Sequence, residues 1–255
     1  MSRKGGGWPQ GYGLHSLREI DSTNAEAARM AASCHAPVWI TAERQTAGRG
    51  RRGRAWASPE GALAATLLIR PAEPAGTAAL RSFVAAVALA EAFETLGAPA
   101  GAVTAKWPND VLLHGCKAAG ILLESASAGA GGGLAWMAIG IGINLSGAPD
   151  AALIEAGAVP PASLAEVLGR PVDREEMMIA LARAYAAREA EFVAQGFAPI
   201  RSRWLARAAR LGAPIRARTA RETLDGIFDT VDETGHLLLR NGDGLHRIPA
   251  ADVFF

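Results

Sequence analysis

Cysteine is scarce in this 255-residue sequence: only Cys34 and Cys116 are present, and they form no Cys-x-x-Cys pair. The five histidines are scattered, so no group of residues has the spacing of a metal site. This distribution argues against structural zinc and against a disulfide framework, since both need grouped or paired ligands. We therefore expect a protein of a reducing compartment that has no metal site built from protein ligands alone.

An excess of charge of one sign and a long apolar run are also lacking. The formal net charge is +1, so bulk electrostatics does not favour binding to a polyanion, and any basic function has to be local. Residues 1–10 are basic and glycine-rich but have no apolar segment of a secretory signal. No uncharged apolar run approaches the ~18 residues of a membrane span. The sequence predicts a cytoplasmic protein without a membrane segment.

Aromatic residues make up only 6% of the chain, whereas half of the residues are hydrophobic and 29 are glycine. A core of useful size is available, and the glycines indicate many turns and close backbone packing. We predict a flexible tail at residues 1–13, a large domain at 14–208 and a small domain at 209–255.

The large domain has an α+β pattern. Short apolar runs predict strands, and longer segments with a helical period predict helices. Strands are expected at 38–42, 64–69, 103–106, 111–113, 121–125 and 134–143, and helices after Asp21, over 78–96 and over 173–195. Thr23 with Glu26, and Asp173 with Glu176, have the spacing of helix N-terminal capping boxes.

The pattern changes near residue 211. From Ile215 onward, short strands alternate with turn signals at 232–235 and 241–244. About 45 residues with this spacing predict a small β-barrel, a size that is rarely stable alone. We therefore expect the barrel to pack against the larger domain.

Residues 45–56 form the most informative stretch, with the sequence Gln-Thr-Ala-Gly-Arg-Gly-Arg-Arg-Gly-Arg-Ala-Trp. Its glycines satisfy the G-x-G-x-x-G fingerprint, but that fingerprint binds pyrophosphate at a helix N-terminus, and loop and strand follow here. Arginines between glycines favour a mobile loop that closes over an anionic ligand, because guanidinium groups bind carboxylates and phosphates bidentately. A solvated basic loop and a nucleic-acid-binding segment are the other interpretations.

A second stretch, at 106–110, has the sequence Lys-Trp-Pro-Asn-Asp and precedes Lys117 at the start of an apolar strand. It places a carboxamide and a carboxylate beside cations, and the Lys117 ammonium can point into a cleft. Lys117 can equally be a charged residue that protects a strand edge, and Asn109 and Asp110 can simply close an Asx turn.

A third stretch, at 140–144, has the sequence Gly-Ile-Gly-Ile-Asn. Two glycines weaken an apolar strand unless another group approaches its backbone closely, and Asn144 can present a carboxamide to that group. A β-bulge followed by a turn explains the same residues.

Taken together, these stretches resemble the biotin–protein ligases. Asp-Ser-Thr-Asn at 21–24, Gln45 with the Gly/Arg loop, the 106–110 segment, Lys117 with Gly-Ile-Leu at 120–122, and the 140–144 segment occur in the order and spacing of that family. The resemblance is strong from Ile20 to Leu145 and looser in the carboxyl-terminal part. It implies a mixed β-sheet with flanking helices, as in lipoate ligases and class II aminoacyl-tRNA synthetases, followed by an SH3-like domain.

The resemblance also implies an activity and a site. The family activates biotin with ATP and Mg²⁺ to biotinyl-5′-AMP and then transfers biotin to a lysine of the biotin carboxyl carrier domain of acetyl-CoA carboxylase or a related carboxylase. The implied biotin-binding residues are Ser22, Thr23, Asn24, Gln45, Arg49, Gly50, Arg51, Lys117 and Gly120. The implied ATP and adenylate contacts are Arg49, Arg51, Arg52, Trp56, Asn109, Lys117 and Asn144. The implied catalytic residues are Lys117 and Arg51, with Asp110 as a candidate helper in deprotonating the acceptor lysine.

Some relatives also carry an amino-terminal domain that binds DNA. Only about twenty residues precede Asp21, which is too few for such a domain, so we expect a ligase that does not bind DNA. The sequence leaves open whether the protein forms a homodimer.

Two other functions compete with this interpretation. A lipoate–protein ligase runs the same two steps on the same scaffold, but the dithiolane of lipoate needs none of the hydrogen bonds that Ser22, Thr23 and Gln45 offer to a ureido ring. A nucleic-acid-binding module that uses the arginine loop predicts binding that weakens with salt and no consumption of ATP.

Overall fold

The computed structural model describes residues 7–57, 59–99, 101–129, 133–150 and 157–255. Residues 1–6 of the predicted tail and residues 130–132, between the strands predicted at 121–125 and 134–143, lie outside this description. The second half of the predicted tail is held in place: Trp8 and Tyr12 pack against the main core, and Trp8 Nε1 donates a hydrogen bond to the Tyr12 carbonyl at 2.9 Å. Burial against the core removes the apolar surface of these aromatic side chains from water, which stabilises the folded chain.

Seven strands form one mixed sheet: β1 (Gly13–Ile20), β2 (Val38–Gln45), β3 (Leu63–Ile69), β4 (Val103–Lys106), β5 (Asp110–Leu113), β6 (Cys116–Ser127) and β7 (Leu134–Ile143). The order across the sheet is β1-β2-β3-β7-β6-β5-β4. Strands β1 and β2 are parallel, and the other neighbours are antiparallel. The predicted mixed sheet is confirmed. Six of its strands were predicted, β6 being longer than expected.

Strand β1 was missed for a physical reason. It lies at the edge of the sheet and pairs with β2 alone, and its side chains are exposed or half-buried. A strand that buries so little carries no strong alternation of apolar and polar residues, and that alternation is the signal on which the prediction depends.

Within the described residues, the helices that accompany the sheet are α1 (Thr23–Met30), α2 (Ala75–Ala78), α3 (Arg81–Thr95), α4 (Leu164–Leu168), α5 (Arg174–Gln195) and α6 (Phe197–Leu205). Helix α1 covers one face of the sheet, where Ala27 packs with Leu68. Helices α3, α5 and α6 cover the other face, where Leu67 belongs to the main core. Successive residues of β3 thus point to opposite faces, both covered, which explains its unbroken apolar sequence.

Helix α3 is the centre of the main core, and the predicted helix over 78–96 is confirmed apart from a break after α2. By length and composition, Ala75–Thr95 is apolar enough to cross a membrane. It is 67% buried inside the fold, and the core helix of a folded domain has the same composition.

The two predicted capping boxes have different outcomes. Asp173 caps α5 by accepting hydrogen bonds from the Glu175 and Glu176 amides, as expected. The prediction for α1 was shifted by one residue, because Ser22 is the N-cap and accepts from the Ala25 amide. The side chain of Thr23 is therefore free for other contacts, which matter for the site described below.

The carboxyl-terminal residues form a separate five-stranded antiparallel sheet with the character of a small SH3-like domain. Its strands are β8 (Pro214–Arg218), β9 (Thr223–Val231), β10 (Leu237–Asn241), β11 (Gly244–Ile248) and β12 (Asp252–Phe254), in the order β11-β10-β9-β8-β12. Residues Phe228, Leu237 and Leu239 are fully or almost fully buried. The predicted strands and turns are confirmed.

The sequence predicted that this small domain packs against the larger one, and the contacts are made with the α3 and α6 region. Phe228 meets Trp204 edge-on with 6.4 Å between ring centroids. In the turn between β9 and β10, the carbonyl of Gly235 accepts a hydrogen bond from Trp107 Nε1 at 3.1 Å. Gly235 has φ +83°, and a Cβ atom there would lie 2.8 Å from Leu80 Cδ2. Only glycine suits this close approach.

We predict that Gly235→Ala lowers the free energy of unfolding by about 2–4 kcal/mol, because alanine would be strained at this φ and would overpack the contact with α3. Urea unfolding followed by circular dichroism measures the change. Gly242→Ala is the matched control, since a Cβ atom at Gly242 meets nothing within 4 Å. Equal stabilities of the two variants would show that the turn does not need the close contact.

Candidate active site

One cavity of about 380 Å³ lies between the sheet, the loop after β2 and the last strand of the small domain. It gathers nearly all the residues that the sequence singled out: Ser22, Thr23, Asn24, Gln45, Arg49, Gly50, Arg51, Trp56, Asn109, Asp110, Lys117, Gly120 and Asn144. Arg52 is the exception and is not among the described residues that line it. Segments more than a hundred residues apart in sequence therefore share one site.

The polar corner of the cavity is built at the start of α1. The amide and the hydroxyl of Thr23 contact Gln45 Oε1 at 2.8 and 3.0 Å. Ser22 is 4% exposed and Asn24 is 5% exposed, so these groups can serve only a ligand that enters the cavity. Uncharged donors and acceptors at a helix N-terminus suit a neutral polar group.

The two glycines of β7 make room for side chains of this chain. A Cβ atom at Gly140 would lie 2.2 Å from Asn24 Oδ1, and one at Gly142 would lie 2.4 Å from the Trp56 ring. The hypothesis of a close approach is confirmed, while the alternative of a β-bulge is wrong because the β3–β7 and β6–β7 registers run unbroken through both glycines. The approaching groups are Asn24 and Trp56, which themselves line the cavity.

Two lysines and one carboxylate form a charged group on the cavity wall. Lys117 Nζ lies 2.7 Å from Asp110 Oδ1 and 5.4 Å from the centre of the Trp56 ring. Lys106 Nζ lies 3.9 Å from Asp110 Oδ2, and burial lowers the pKa of Lys106 despite that carboxylate. Lys106 stood in the recognised 106–110 segment without an assigned role, and the structure adds it to the cavity lining.

The arginine loop is anchored on the small domain. Arg51 donates to Asn109 Oδ1 at 3.3 Å and to the Ala251 carbonyl at 3.1 Å. Arg52 and Arg54 donate to Asp252 Oδ2 at 2.7 and 2.9 Å. Arg52 does not line the cavity because its guanidinium pairs with the carboxylate of β12, and its expected adenylate contact stays a prediction.

These contacts explain two pKa shifts. Burial lowers the pKa of the Arg51 guanidinium, an effect that the Asp252 carboxylate opposes. Burial alone would raise the pKa of Asp252, but the neighbouring guanidinium groups of Arg54 and Arg52 bring it below the ordinary value. Asp252 is therefore a charged anchor for the loop at neutral pH.

The loop also settles the question of the dinucleotide fingerprint. Residues Arg51–Gly53 make a single 3-10 turn in which Arg52 has φ 57°, and the next element is strand β3. No α-helix begins among the described residues between β2 and β3. The prediction that this segment is not a pyrophosphate-binding fingerprint is therefore confirmed.

Asn144 ends β7 with one buried atom in need of a partner. Its Nδ2 donates to the Lys117 carbonyl at 3.1 Å, while its Oδ1 is buried and has no hydrogen-bond partner among the residues that the structure describes. A buried carboxamide oxygen without a partner is costly, so this atom fits a ligand donor or an oxygen-seeking cation such as Mg²⁺. Among the described residues, no three acidic, histidine or cysteine side chains are grouped for metal binding.

The outer part of the cavity was missing from the sequence prediction. It is lined by apolar residues from the connection before α4 and from β12: Pro149, Ala158, Val159, Pro161, Val253 and Phe254. No local motif marks these positions, and Val253 and Phe254 join the site only because the small domain docks beside it.

The cavity thus combines three kinds of surface. It has a neutral polar corner, a set of cations that includes Arg51, Lys106 and Lys117, and an apolar outer wall. Such a lining suits an acid with a polar head group together with a flat nucleotide, whose negative charges would lie among the cations.

Comparisons with known proteins agree with this geometry. Residues 17–144 match the model of the biotin/lipoate A/B protein ligase family, and residues 211–255 match the biotin protein ligase C-terminal domain. The biotin–[acetyl-CoA-carboxylase] ligase of Paracoccus denitrificans is 52% identical over 94% of this chain and 99% of its own length. The bifunctional ligase/repressor of Escherichia coli is 34% identical over 90% of this chain and 69% of its own length.

Solved structures show the same architecture. The biotin protein ligase of Aquifex aeolicus in complex with biotin and ATP superimposes with a TM-score of 0.77 at 25% identity, covering 94% of this chain and 98% of that chain. The two family models match both parts of the chain, and the Paracoccus relative matches almost all of it. The chain belongs to the biotin protein ligases.

Proposed function

We propose that this protein is a biotin–[acetyl-CoA-carboxylase] ligase that forms biotinyl-5′-AMP from biotin and ATP and then transfers biotin to a carrier lysine. The observation that carries the proposal is the convergence of Arg51, Lys117 and Asn144 on one cavity beside the polar corner at Thr23. The Paracoccus relative with this activity supports it over almost the whole chain. The predicted domain bounds of 14–208 and 209–255 are retained.

In the first step, a carboxylate attacks an α-phosphate that is itself anionic. No general base is needed, since a carboxylate is already a nucleophile; the barrier lies in charge repulsion and alignment. Arg51 and Lys117 supply fixed positive charge at the cavity wall, and Trp56 closes the space above Gly120 and Gly142. A closed loop also protects the mixed anhydride from water.

We propose that Mg²⁺ binds together with the nucleotide. Asn144 Oδ1 is the buried, unpartnered oxygen that fits such a cation. When bound, Mg²⁺ would neutralise phosphate charge, while the protein supplies the surrounding cations and the carboxamide.

In the second step, the acceptor lysine has to be deprotonated before it attacks the adenylate. Asp110 is the carboxylate of the cavity wall, and Lys117 and Lys106 both contact it. A lysine of the incoming carrier domain can replace one of these contacts and lose its proton to water or to Asp110. We assign Asp110 to this helper role.

The acceptor is the biotin carboxyl carrier domain of acetyl-CoA carboxylase or a related carboxylase, and the place of action is the cytoplasm. DNA is not a partner in this proposal, and a homodimer remains an open alternative to a monomer.

The first test compares acids. With ATP and Mg²⁺, we expect biotin to elicit pyrophosphate at least about 10²-fold faster than lipoic acid, because an apolar dithiolane leaves the polar corner unpaired. Faster release with lipoic acid would make the protein a lipoate ligase. Salt-sensitive nucleic-acid binding without ATP consumption would favour the nucleic-acid-binding alternative.

A second prediction concerns Lys117. Lys117→Ala should slow biotin-dependent pyrophosphate release by about 10²-fold or more, since one charge at the reacting phosphate is removed. Arg240→Ala is the matched control: it removes an exposed cation that pairs with Asp229 far from the cavity lining. A Lys117→Ala enzyme with the rate of that control would contradict the catalytic role.

A third prediction concerns the anchor of the loop. Asp252→Asn weakens the charged contacts to Arg52 and Arg54, so the closed loop should open more often. We expect biotinyl-5′-AMP to dissociate about 10- to 100-fold faster, the scale of one or two charged hydrogen bonds. Stopped-flow fluorescence measures the rate, and Asp225→Asn, which loosens an exposed pair with Arg216, is the control. Equal dissociation rates would show that Asp252 does not hold the loop closed.

A further inference from the structure

Thr66 lies at the centre of β3, where its neighbours in register are Ile40 and Gly140. It is fully buried and is not among the described residues that line the cavity. Its side chain nevertheless contacts two residues that do: Thr66 Oγ1 lies 2.8 Å from Thr23 Oγ1 and 2.7 Å from Asn24 Oδ1. Thr66 thus stands directly behind the polar corner.

The orientations of the two amide side chains follow from their partners. The Thr23 amide can only donate, so the atom of Gln45 at 2.8 Å from it is the oxygen. The Leu122 carbonyl can only accept, so the atom of Asn24 that faces it at 3.4 Å is the nitrogen. Both carboxamide oxygens therefore point toward the threonine hydroxyls.

The two threonine hydroxyls of this cluster have fewer protons than short oxygen–oxygen contacts. Three short oxygen–oxygen contacts are present: Thr66 to Thr23, Thr66 to Asn24, and Thr23 to Gln45 at 3.0 Å. Each hydroxyl carries one proton, so two protons have to serve three contacts. One of these protons lies between the two hydroxyl oxygens, so one of the two carboxamide oxygens receives no hydroxyl proton: either Asn24 Oδ1 receives none, or Gln45 Oε1 keeps only the hydrogen bond from the Thr23 amide. Because the groups are buried, the missing hydrogen bond costs free energy that water cannot recover.

A ligand with an N–H donor removes this shortage. If it donates to Asn24 Oδ1, Thr66 donates to Thr23 and Thr23 donates to Gln45. If it donates to Gln45 Oε1, the chain reverses, and Thr23 donates to Thr66 while Thr66 donates to Asn24. Rotation of two hydroxyl groups thus satisfies every acceptor in either case, without movement of the backbone.

We propose that Thr66 is a specificity-determining positioning residue that makes the polar corner select a ligand with N–H donors. Its hydroxyl can donate toward either neighbour, and this choice lets Asn24 and Gln45 serve as alternative acceptors. The inference rests on the proposed function, in which the ureido ring of biotin supplies two N–H groups. An apolar head group supplies none and leaves the shortage in place.

The test is Thr66→Val, which keeps the shape of the side chain and removes the hydroxyl. Calorimetry should show an increase of about 10-fold in the Kd for biotin, the scale of one net hydrogen bond. The Kd for ATP should stay within about twofold and the pyrophosphate rate at saturating biotin within about threefold of wild type, since Thr66 does not line the cavity near the cations. A general loss of structure would instead change all three values together.

Two further variants distinguish the role from a loss of stability. Thr66→Ser keeps the hydroxyl and should restore the Kd for biotin to within about twofold of wild type. Thr41→Val is the matched control, because Thr41 is a buried threonine of the neighbouring strand whose hydroxyl contacts Ser16 at 3.2 Å, outside the cavity lining. It should leave the Kd for biotin unchanged.

The outcomes separate the two claims. A wild-type enzyme that releases no pyrophosphate with biotin overturns the proposed function and this inference together. With an active wild-type enzyme, an unchanged Kd for biotin in Thr66→Val, or an equal loss of affinity in Thr66→Ser, overturns the inference alone.

Discussion

Cations have to be held close together in this cavity before any anionic ligand is present, and their mutual repulsion constrains the rest of the structure. Two carboxylates make this arrangement possible. Asp110 lies between Lys106 and Lys117, and Asp252 receives Arg52 and Arg54. In a partly buried site these pairs are worth more than exposed ones, but each also costs desolvation. The two carboxylates therefore offset only part of the positive charge around the cavity, and the cations remain available to a ligand whose phosphate and carboxylate can compete for them.

The sequence predicted those parts of the site that are encoded in short segments. Apart from Arg52, the predicted site residues between Ser22 and Asn144 line one cavity, because their segments lie at the start of α1, in the loop after β2, or within or beside strands of the same sheet. Asp252 and Phe254 could not be predicted from short segments, because no local pattern indicates that a strand near residue 252 docks beside a loop near residue 52. Contacts across two hundred residues depend on tertiary packing, which local periodicity does not record.

The two glycines of β7 show another limit of prediction from sequence. A glycine in an apolar strand signals close approach, but the signal does not say which group approaches. Gly140 accommodates Asn24, and Gly142 accommodates Trp56. The space that appeared reserved for a ligand is partly reserved for the side chains that define the ligand's surroundings. Similarly, the capping pattern at α1 was misplaced by one residue, and the error concealed that Thr23 uses its hydroxyl in the site and not in the cap.

The arginine loop and the docked small domain hold each other through direct contacts. The loop has a left-handed residue, Arg52, and only one 3-10 turn with a few internal backbone hydrogen bonds, so outside contacts help to hold its conformation. Those contacts come from Ala251 and Asp252 of the last strand, and that strand in turn completes the apolar wall of the cavity. A change that weakens the docking of the small domain at the Gly235 turn would therefore loosen the arginine loop as well, although the two places share no residue. The small domain is thus a part of the candidate site, because it provides the Asp252 anchor of the loop and the Val253 and Phe254 part of the apolar wall.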